Sequence, residues 1–303
     1  MTAVCVDAPQ RIRLSWSRLQ NYEKCRQRTK LLMQGKKSPV TDGRNFLPGT
    51  LADRCMRSWL SAGRFNSGGM LEYLDEEWER HTGPDAEYVI KWKGNHNTDQ
   101  LTVLEDVRTA LKTLEPILLK KVTPFAFKPE FRFTSVVGIP GLNGETVQIE
   151  IFGAVDVATH FEQGQYGLYD LKITRRDSYI KSTLAQLIFY DLAFRGHTGV
   201  RPVEHAFWCP LLDETEINLT VTNDDRREMI SRIIGYCHNV WAGHWELTED
   251  KNECWNCPTK AACPRFVNPI SKDTQGRNRV TFDRADFDLM QVEEAEKSNE
   301  VQL

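Results

Sequence analysis

Two aspartates and one lysine in the middle of the chain have the residue types and spacing of a metal-dependent hydrolytic site. Asp170 and Lys172 are two residues apart on a predicted strand, so the carboxylate and the ammonium project to the same face of a sheet. Asp156 lies on the strand predicted before it, and a turn at 162–165 would pair the two strands and bring the carboxylates together. Because two carboxylates on one face repel each other, a divalent cation such as Mg²⁺ or Mn²⁺ is expected between them.

The chemistry of such a group is phosphodiester hydrolysis. A metal ion held by Asp156, Asp170 and a backbone carbonyl such as that of Leu171 lowers the pKa of a bound water and neutralises charge on a phosphate. The ammonium of Lys172 stabilises the nucleophile and the transition state. The acid-x-Lys tripeptide is not specific by itself, because residues 249–251 have the same form and are given no role. A solvated strand face is the alternative explanation of Asp170 and Lys172.

Three more side chains are candidates for the same site. Gln186 and Tyr190 are four residues apart on a predicted helix, which places the amide and the phenol on one face, where they can orient a nucleic-acid phosphate or base. Glu130 lies on the first strand of the region and adds a further acid near the site. Its carboxylate could equally pair with Arg132 or Lys128.

Helices are predicted on both sides of this region. A helix over 15–34 starts with the capping-box pattern of Ser17 and Gln20, and another is predicted over 179–195. The last helix runs to residue 243 from Asn223 as its N-cap. Residues 63–123 are interpreted as a helical insertion. A helix over 49–62 follows from apolar residues at helical spacing, namely Leu51, Cys55, Met56, Trp59 and Leu60.

The central region has the pattern of antiparallel strands. β-Branched and aromatic residues alternate with polar ones between glycine-containing turns, which predicts a meander of strands at 126–134, 146–152, 154–159 and 166–174. The same alternation places Val155 and Val157 on the face opposite Asp156. Two more strands are predicted at 203–210 and 216–222.

The chain has eight cysteines, and their distribution indicates metal binding. No export signal is visible at the N-terminus, so a disulfide framework is not expected. Cys254, Cys257 and Cys263 form a Cys-x2-Cys-x5-Cys cluster that supplies three thiolates within ten residues. A tetrahedral zinc site or an iron-sulfur cluster requires a fourth ligand, and thiolates bind both.

The order of these motifs resembles the RecB-like branch of the PD-(D/E)XK nuclease superfamily. The matching positions are Glu130, Gly153-x-x-Asp156, Asp170-x-Lys172 and Gln186-x-x-x-Tyr190. The resemblance implies an α/β, restriction-endonuclease-like fold, in which helices flank a central mixed β-sheet, and a Mg²⁺- or Mn²⁺-dependent deoxyribonuclease.

In that family a helix before the sheet carries a Gly-x-x-x-His motif whose histidine binds the metal. Here the spacing is matched by Gly49 and Asp53, with an aspartate in place of the histidine. Asp53 is therefore expected as a third acidic metal ligand beside Asp156 and Asp170. The alternative is an ordinary helical ion pair between Asp53 and Arg57.

The N-terminal motif Ser-x-x-Arg-Leu-x-x-Tyr-x-x-Cys-x-x-Arg, which ends at residue 28, resembles iron-sulfur nucleases of the AddB and CRISPR-adaptation type. The resemblance implies a [4Fe-4S] cluster held by Cys25, Cys254, Cys257 and Cys263, which would join the two ends of the chain as a clasp. Zinc bound by the same four sulfurs is the alternative.

The expected organisation follows from these motifs. It comprises an N-terminal helical segment over 1–48, a helical region over 49–123, a nuclease core over 124–245, a cysteine segment over 246–268 and a polar, acidic tail over 269–303.

Composition limits the function classes. With 39 Lys and Arg against 42 Asp and Glu, the net charge is -3, so nucleic acid would have to bind through a local basic lining. No apolar stretch is long enough to span a membrane, and we expect a soluble, cytoplasmic protein. Tyr179 and Phe189 are expected to stack on unpaired bases. The residues expected in a basic lining are Lys120, Lys121, Lys128, Arg132, Arg175, Arg176 and Lys181.

The leading hypothesis is an exonuclease that acts on single-stranded DNA or DNA ends in recombination, repair or phage DNA processing. The chain has no Gly-x4-Gly-Lys-Ser/Thr motif, so a helicase or recombination partner would act in trans. The alternatives are a non-catalytic DNA-binding or scaffold protein that keeps the nuclease fold, and a zinc-stabilised interaction module.

Overall fold

The computed structural model describes residues 12–36, 43–63, 65–84, 86, 90–122, 126–161, 164–254 and 257–267. Cys5 and the predicted acidic tail over 269–303 lie outside these residues. Two units are present within them. The first takes in residues 12–23 and 43–244, and the second takes in residues 24–36 and 245–267.

The first unit is built on a six-stranded mixed sheet. Its strands are β1 (Arg13–Leu14), β2 (Ala126–Pro140), β3 (Thr146–His160), β4 (Tyr166–Leu171), β5 (Glu204–Trp208) and β6 (Glu216–Asn218). They are arranged in the order β1-β3-β4-β5-β6, and β2 also pairs with β3. The β1–β3 and β4–β5 pairs are parallel, and the others are antiparallel. The predicted meander is therefore present as three strands, because 146–152 and 154–159 form one continuous strand.

Helices cover both faces of this sheet, which confirms the predicted mixed α/β fold. The helices of the first unit are α1 (Trp16–Lys24), α3 (Leu47–Ala62), α4 (Leu74–Thr82), α5 (His96–Val122), α6 (Asp177–Thr198) and α7 (Asn223–Trp241). None of the helices in the described part of the chain is both long and apolar enough to cross a membrane.

The core on one face joins the sheet to α1, α6 and α7. Leu187, Phe189 and Phe194 of α6 are fully buried there against strand residues such as Ile149 and Val155. Helix α6 connects β4 to β5, the two strands of a parallel pair, so it must cross over the sheet between them. This crossover is what brings α6 to the end of β4.

The core on the other face joins the sheet to α3, α4 and α5. Five predicted apolar positions of α3 are all buried here, and Tyr169 of β4 stacks on Trp208 of β5 with ring centroids 4.5 Å apart. The region predicted as a helical insertion is therefore a layer of the first unit, since residues of α4 and α5 such as Leu74 and Val107 are buried in this core.

The alternation of side chains between the two faces of the sheet is broken on β3 at Asp156. Val155 packs in the core of α1, α6 and α7, whereas Val157 packs in the core of α3, α4 and α5. The prediction that these two valines share a face is wrong. The cause lies in the partner strand, where the ladder of paired residues has Pro129 opposite Val157 and Phe131 opposite Val155 and is interrupted between them.

Two helix boundaries also differ from prediction. The predicted helix over 15–34 is divided at Cys25, which has extended backbone angles and separates α1 from α2 (Arg26–Met33). The N-cap of α7 is Thr222 and not Asn223. The hydroxyl of Thr222 accepts a hydrogen bond from the Asp225 backbone, and the Asp225 carboxylate accepts one from the Thr222 backbone. This reciprocal pair satisfies two backbone donors at the helix start.

The second unit consists of α2, short 3₁₀ turns over Lys251–Cys254 and Lys260–Ala262, and α8 (Pro264–Val267). Side chains of α2 connect it to the segment that follows Trp245. Arg26 pairs with Glu246 at 2.5 Å, and the buried Arg28 donates to the backbone carbonyl of Glu253. The backbone amide of Gln27 donates to the carbonyl of Glu246 at 3.1 Å.

Candidate active site

The antiparallel pairing of β3 and β4 places two aspartates opposite each other. Val157 pairs with Tyr169, and continuing that register by one residue sets Asp156 opposite Asp170. The Asp156 carboxylate accepts a hydrogen bond of 2.7 Å from the backbone amide of Leu171. The two carboxylates predicted to converge therefore line the same cleft, at the end of β4.

Glu130 is the residue of β2 that faces this pair, and its backbone is strained. Its φ of 49° lies in the left-handed region, which residues other than glycine rarely adopt. The strain interrupts the ladder opposite Asp156 and turns the Glu130 side chain into the cleft, where it is two-thirds buried. Its carboxylate pairs with Arg57 and, at 2.6 Å, with Arg132. Strain of this kind costs free energy and is typical of functional positions.

Lys172 extends into the cleft just beyond β4. Its backbone amide donates to the carbonyl of Trp208 at 2.9 Å, which fixes the chain after the strand end. The ammonium forms a close ion pair with Asp170 and lies 5.4 Å from the ring centroid of Phe207. Burial lowers the pKa of Lys172, but the charge and the hydrogen bond of Asp170 outweigh it and raise the pKa above its ordinary value. Lys172 is a fixed cation of the site.

Gln186 and Tyr190 reach the cleft from α6. The Gln186 amide donates to Asp170 at 3.0 Å and lies 3.0 Å from the Tyr190 hydroxyl. The helical spacing of four residues thus links the acid, the amide and the phenol in one chain of contacts. Burial and the charge of Asp170 raise the pKa of Tyr190, so the hydroxyl stays protonated and serves as a neutral hydrogen-bonding group.

Helix α3 supplies the opposite wall of the cleft. Asp53 lies there, where the family pattern has histidine, and both of its oxygens accept hydrogen bonds from Arg57 at 2.7 Å. The remaining amino group of Arg57 pairs with Glu130, and its guanidinium lies 3.9 Å from Asp156. Sequence reasoning treated Arg57 only as an alternative partner of Asp53. The signal that it belongs to the site was its position one helical turn after Asp53.

The cleft has a volume of about 480 Å³. Seven residues predicted from the sequence line it together, namely Asp53, Glu130, Asp156, Asp170, Lys172, Gln186 and Tyr190. Arg54 and Arg57 line it as well.

Carboxylates in this cleft repel each other. Burial, followed by the charges of Asp170 and Asp53, raises the pKa of Asp156 well above its ordinary value. Burial likewise raises the pKa of Asp53, against the lowering effect of Arg57. Burial opposes the ionisation of Glu130, but hydrogen bonds from Arg57 and Arg132 outweigh it and lower its pKa. Ionisation of Asp156 and Asp53 is therefore opposed in this cleft, and added positive charge would favour it.

The donor set of the cleft fits a hard divalent cation. Asp156 and Asp170 offer carboxylate oxygens, which Mg²⁺ and Mn²⁺ prefer, and their repulsion is the conflict that such an ion relieves. Among the described residues, however, no three His, Cys, Asp or Glu side chains are placed as a ready ligand set. The reason in this cleft is that Lys172 and Arg57 already hold the acids.

Among the members of the predicted basic lining that the structure describes, none lines the cleft itself. The side chains of Lys121 and Lys128 lie outside the described residues. Arg132 pairs with Glu130 and Arg175 pairs with Asp106. Phe189 is fully buried in the core, so it is not a stacking partner for bases. The remaining members are exposed, namely Lys120, Arg176, Lys181 and the half-exposed Tyr179.

The cysteines predicted as metal ligands all lie in the second unit. Cys25 and Cys263 are buried, and Cys254 and Cys257 are partly exposed. Burial raises the pKa of the Cys263 thiol, a backbone hydrogen bond opposes this, and the neighbouring Cys257, Cys25 and Cys254 raise it further. The four sulfurs therefore share one neighbourhood, although they are not arranged as a ready metal site.

One of these sulfurs accepts a hydrogen bond, and a second lies beside a hydroxyl. The guanidinium of Arg265 donates to the Cys254 sulfur at 3.2 Å, and the hydroxyl of Thr259 lies 3.4 Å from the Cys257 sulfur. Donors directed at sulfur stabilise the thiolate form, which is the form that binds metals. The side chains present thus fit a thiolate-bound metal centre. Of the other cysteines, Cys55, Cys209 and Cys237 are fully buried in the two cores of the first unit.

Comparison with known proteins gives one family match. The family model of the PD-(D/E)XK nuclease superfamily matches residues 13–264. No curated protein matches the chain. Among solved structures, one titled "Crystal structure of SSO0001" matches with a TM-score of 0.39 and 12% identity, over 86% of this chain and 90% of that one.

Proposed function

The chain belongs to the PD-(D/E)XK nuclease superfamily, and from that premise we propose that it is a metal-dependent deoxyribonuclease, an exonuclease acting on single-stranded DNA or DNA ends. Asp156 and Asp170 would hold Mg²⁺ or Mn²⁺, and Asp53 would join them if Arg57 released it. Recombination, repair or phage DNA processing are the settings in which such an enzyme acts, with a helicase or recombination partner in trans.

The observation that carries the proposal is the meeting of two opposed aspartates and a lysine at the end of β4. Asp156 and Asp170 line one cleft, and Lys172 forms an ion pair with Asp170. A divalent ion at this point would polarise a phosphate and lower the pKa of its water. The chain's own residues would do the rest of the chemistry.

Each of these residues has a role that follows from its position. Lys172, held charged beside Asp170, stabilises negative charge that develops on the phosphate oxygens. Gln186 fixes one oxygen of Asp170, so that the carboxylate keeps its orientation in the cleft. Tyr190, protonated and in contact with Gln186, supports that orientation from the next turn of α6.

Features beside the cleft support a nucleic-acid substrate. Arg54 lines the cleft and is exposed. Arg176 and Lys181, near the start of α6, are exposed too, and the ring of Tyr179 between them is half exposed. Basic side chains that contact phosphates, together with an aromatic ring that stacks on a base, are the combination with which proteins bind unpaired strands.

Degradation of end-labelled single-stranded DNA with Mg²⁺ or Mn²⁺ tests the proposal. We expect Asp170→Asn and Lys172→Met each to reduce the rate by about 10³-fold, on the scale of losing a transition-state charge contact. Lys251→Met is the matched control, because it removes the lysine of the other acid-x-Lys tripeptide and should leave the rate unchanged. Equal rates in wild type and Asp170→Asn would reject the proposal and favour a DNA-binding scaffold.

Substrates with blocked ends distinguish exonuclease from endonuclease action. We expect a blocked or circular single strand to resist degradation by the wild-type protein under conditions that digest the linear strand. Cleavage of the circular strand at the same rate would show an endonuclease.

We propose further that Cys25, Cys254, Cys257 and Cys263 hold a [4Fe-4S] cluster, with zinc on the same sulfurs as the alternative. The location of all four in one unit, with a guanidinium that donates to the Cys254 sulfur and a hydroxyl beside the Cys257 sulfur, supports a metal centre of either kind. Iron, sulfide and zinc analysis of anaerobically purified protein separates the two.

Cys257→Ser tests the cysteine assignment. We expect loss of visible absorbance and a lower melting temperature, because a metal centre that joins distant segments contributes its binding free energy to folding. Cys237→Ala is the control, since it removes a core thiol of the first unit and should leave the metal content unchanged. A Cys257→Ser protein with wild-type metal content would contradict the assignment.

A further inference from the structure

Arg57 has contacts that a simple surface ion pair does not have. Its side chain is four-fifths buried, and three of its nitrogens face acids of the cleft. The Nε and Nη2 atoms each lie 2.7 Å from a different oxygen of Asp53, and Nη1 pairs with Glu130. Nη2 also lies 3.9 Å from Asp156. One guanidinium therefore bridges two acids and approaches a third.

This bridge occupies the oxygens that a metal ion would need. A divalent ion binds a carboxylate at about 2.0–2.2 Å, and an ion placed on Asp53 would lie against the guanidinium that already holds both of its oxygens. The positive charges of the ion and the guanidinium would repel each other strongly at so short a distance in a partly buried site. Asp53 and the divalent ion can meet only after Arg57 has moved.

Helix geometry keeps the bridge in place. Asp53 and Arg57 are one turn apart on α3, so the helical backbone holds the two side chains within contact distance independently of the other residues of the cleft. The fork of the guanidinium matches both oxygens of a carboxylate, which a lysine in the same position cannot do. Asp156 has no such neighbour on its own strand, and its accepted hydrogen bond comes from the backbone of Leu171.

We propose that Arg57 is a positioning residue that competes with the divalent ion for the acids of the cleft, holding Asp53 and Glu130 back from it. This inference rests on the proposed metal-dependent function. Its consequence is that the ion in the wild-type protein is held by Asp156 and Asp170, and that Asp53 becomes a ligand only when the guanidinium is removed.

Mn²⁺ binding to the DNA-free full-length protein, measured by titration calorimetry, tests this. We expect Arg57→Gln to tighten the dissociation constant by about tenfold or more, because the competing charge has gone. Arg201→Gln is the control: it removes the same charge from an exposed side chain that does not line the cleft, and should change the constant by less than about threefold.

A double-mutant cycle identifies the acid that Arg57 holds. Asp53→Asn alone should change Mn²⁺ affinity by less than about threefold, because in the wild-type protein Asp53 is bound to Arg57. In the Arg57→Gln background the same Asp53→Asn change should abolish the gain in affinity. Arg57→Lys, which keeps the charge without the fork, should lie between wild type and Arg57→Gln, and circular dichroism checks that each variant is folded.

Two results would overturn the inference about Arg57 while leaving the proposed nuclease function intact. One is an Arg57→Gln protein with unchanged or weaker Mn²⁺ binding beside an Asp156→Asn protein that has lost it. The other is an Asp53→Asn protein that loses as much affinity as Asp156→Asn, which would make Asp53 a ligand already. Failure of the proposed function has a different signature, because the wild-type protein would then show no Mn²⁺ binding that Asp156→Asn removes.

Discussion

Helix α6 contributes residues to two groups of polar and charged side chains, and the two groups differ in how far their charges are compensated. One is the cleft, where Tyr190 contacts the acids through Gln186. The other is the buried triad, formed by Asp191 of α6, His205 of β5 and Arg226 of α7. Adjacent residues of one helix thus serve a partly open acidic site and a closed ion cluster.

In the buried triad every oxygen of the carboxylate has a donor. Asp191 is fully buried, and His205 lies 2.9 Å from Oδ1. Arg226 donates to the two oxygens at 2.7 and 3.0 Å. In the cleft, Asp156 accepts its hydrogen bond from Leu171 and faces other acids. Removing one partner of a fully paired, buried carboxylate destabilises a fold, whereas a carboxylate that is left under-compensated is available to bind a cation.

The largest effect expected from this contrast concerns stability. Asp191→Asn should lower the free energy of unfolding by about 3–5 kcal/mol, because it leaves Arg226 buried without its counter-charge. Asp156→Asn should leave the metal-free protein as stable as wild type or more stable, since it removes a carboxylate that its neighbours repel. Urea denaturation in EDTA measures both. A destabilised Asp156→Asn protein would remove the distinction between the two groups.

The pH dependence of stability gives a second, smaller effect. Burial opposes the ionisation of Asp191, but hydrogen bonds from His205 and Arg226 outweigh it and lower the pKa of the carboxyl. A lowered folded-state pKa means that its contribution is complete above the unfolded pKa of about 3.9 and is lost as the pH falls through the folded value.

The stability gap between wild type and Asp191→Asn should therefore narrow as the pH is lowered from about 5 to about 3. Denaturant titrations at several pH values in this range measure the gap. A gap that stays constant down to pH 3, or widens, would contradict a lowered pKa of Asp191.

The smallest effect concerns the strained backbone of the cleft, which has no counterpart in the helical Asp191. Because glycine adopts positive φ without the steric cost that other residues incur, Glu130→Gly should be more stable than Glu130→Ala by about 1 kcal/mol. Both variants lose the carboxylate, so the difference isolates the backbone. Equal stability of the two proteins in urea would show that residue 130 relaxes once its side chain is removed.

The sequence predicted elements best where one periodicity is strong and local. Helix α3 was predicted to within two residues of its ends, because burial of one face enforces its apolar stripe, whereas β3 was predicted as two strands and β4 three residues too long. The division of the first helix at Cys25 was missed, since helical spacing of Leu19, Tyr22 and Cys25 is compatible with one helix or two. The extended backbone of Cys25 distinguishes these possibilities.

The sequence alone predicted that Asp156, Asp170 and Lys172 lie close together, because a short turn between consecutive strands is a local property. The tertiary structure decided how that site is charged. Arg57 reaches Glu130 because α3 packs beside β2, and the change of side-chain facing on β3 at Asp156 lies opposite the strained Glu130. Contacts between segments far apart in the chain produce no periodic pattern in the sequence, so they are visible only in the folded protein.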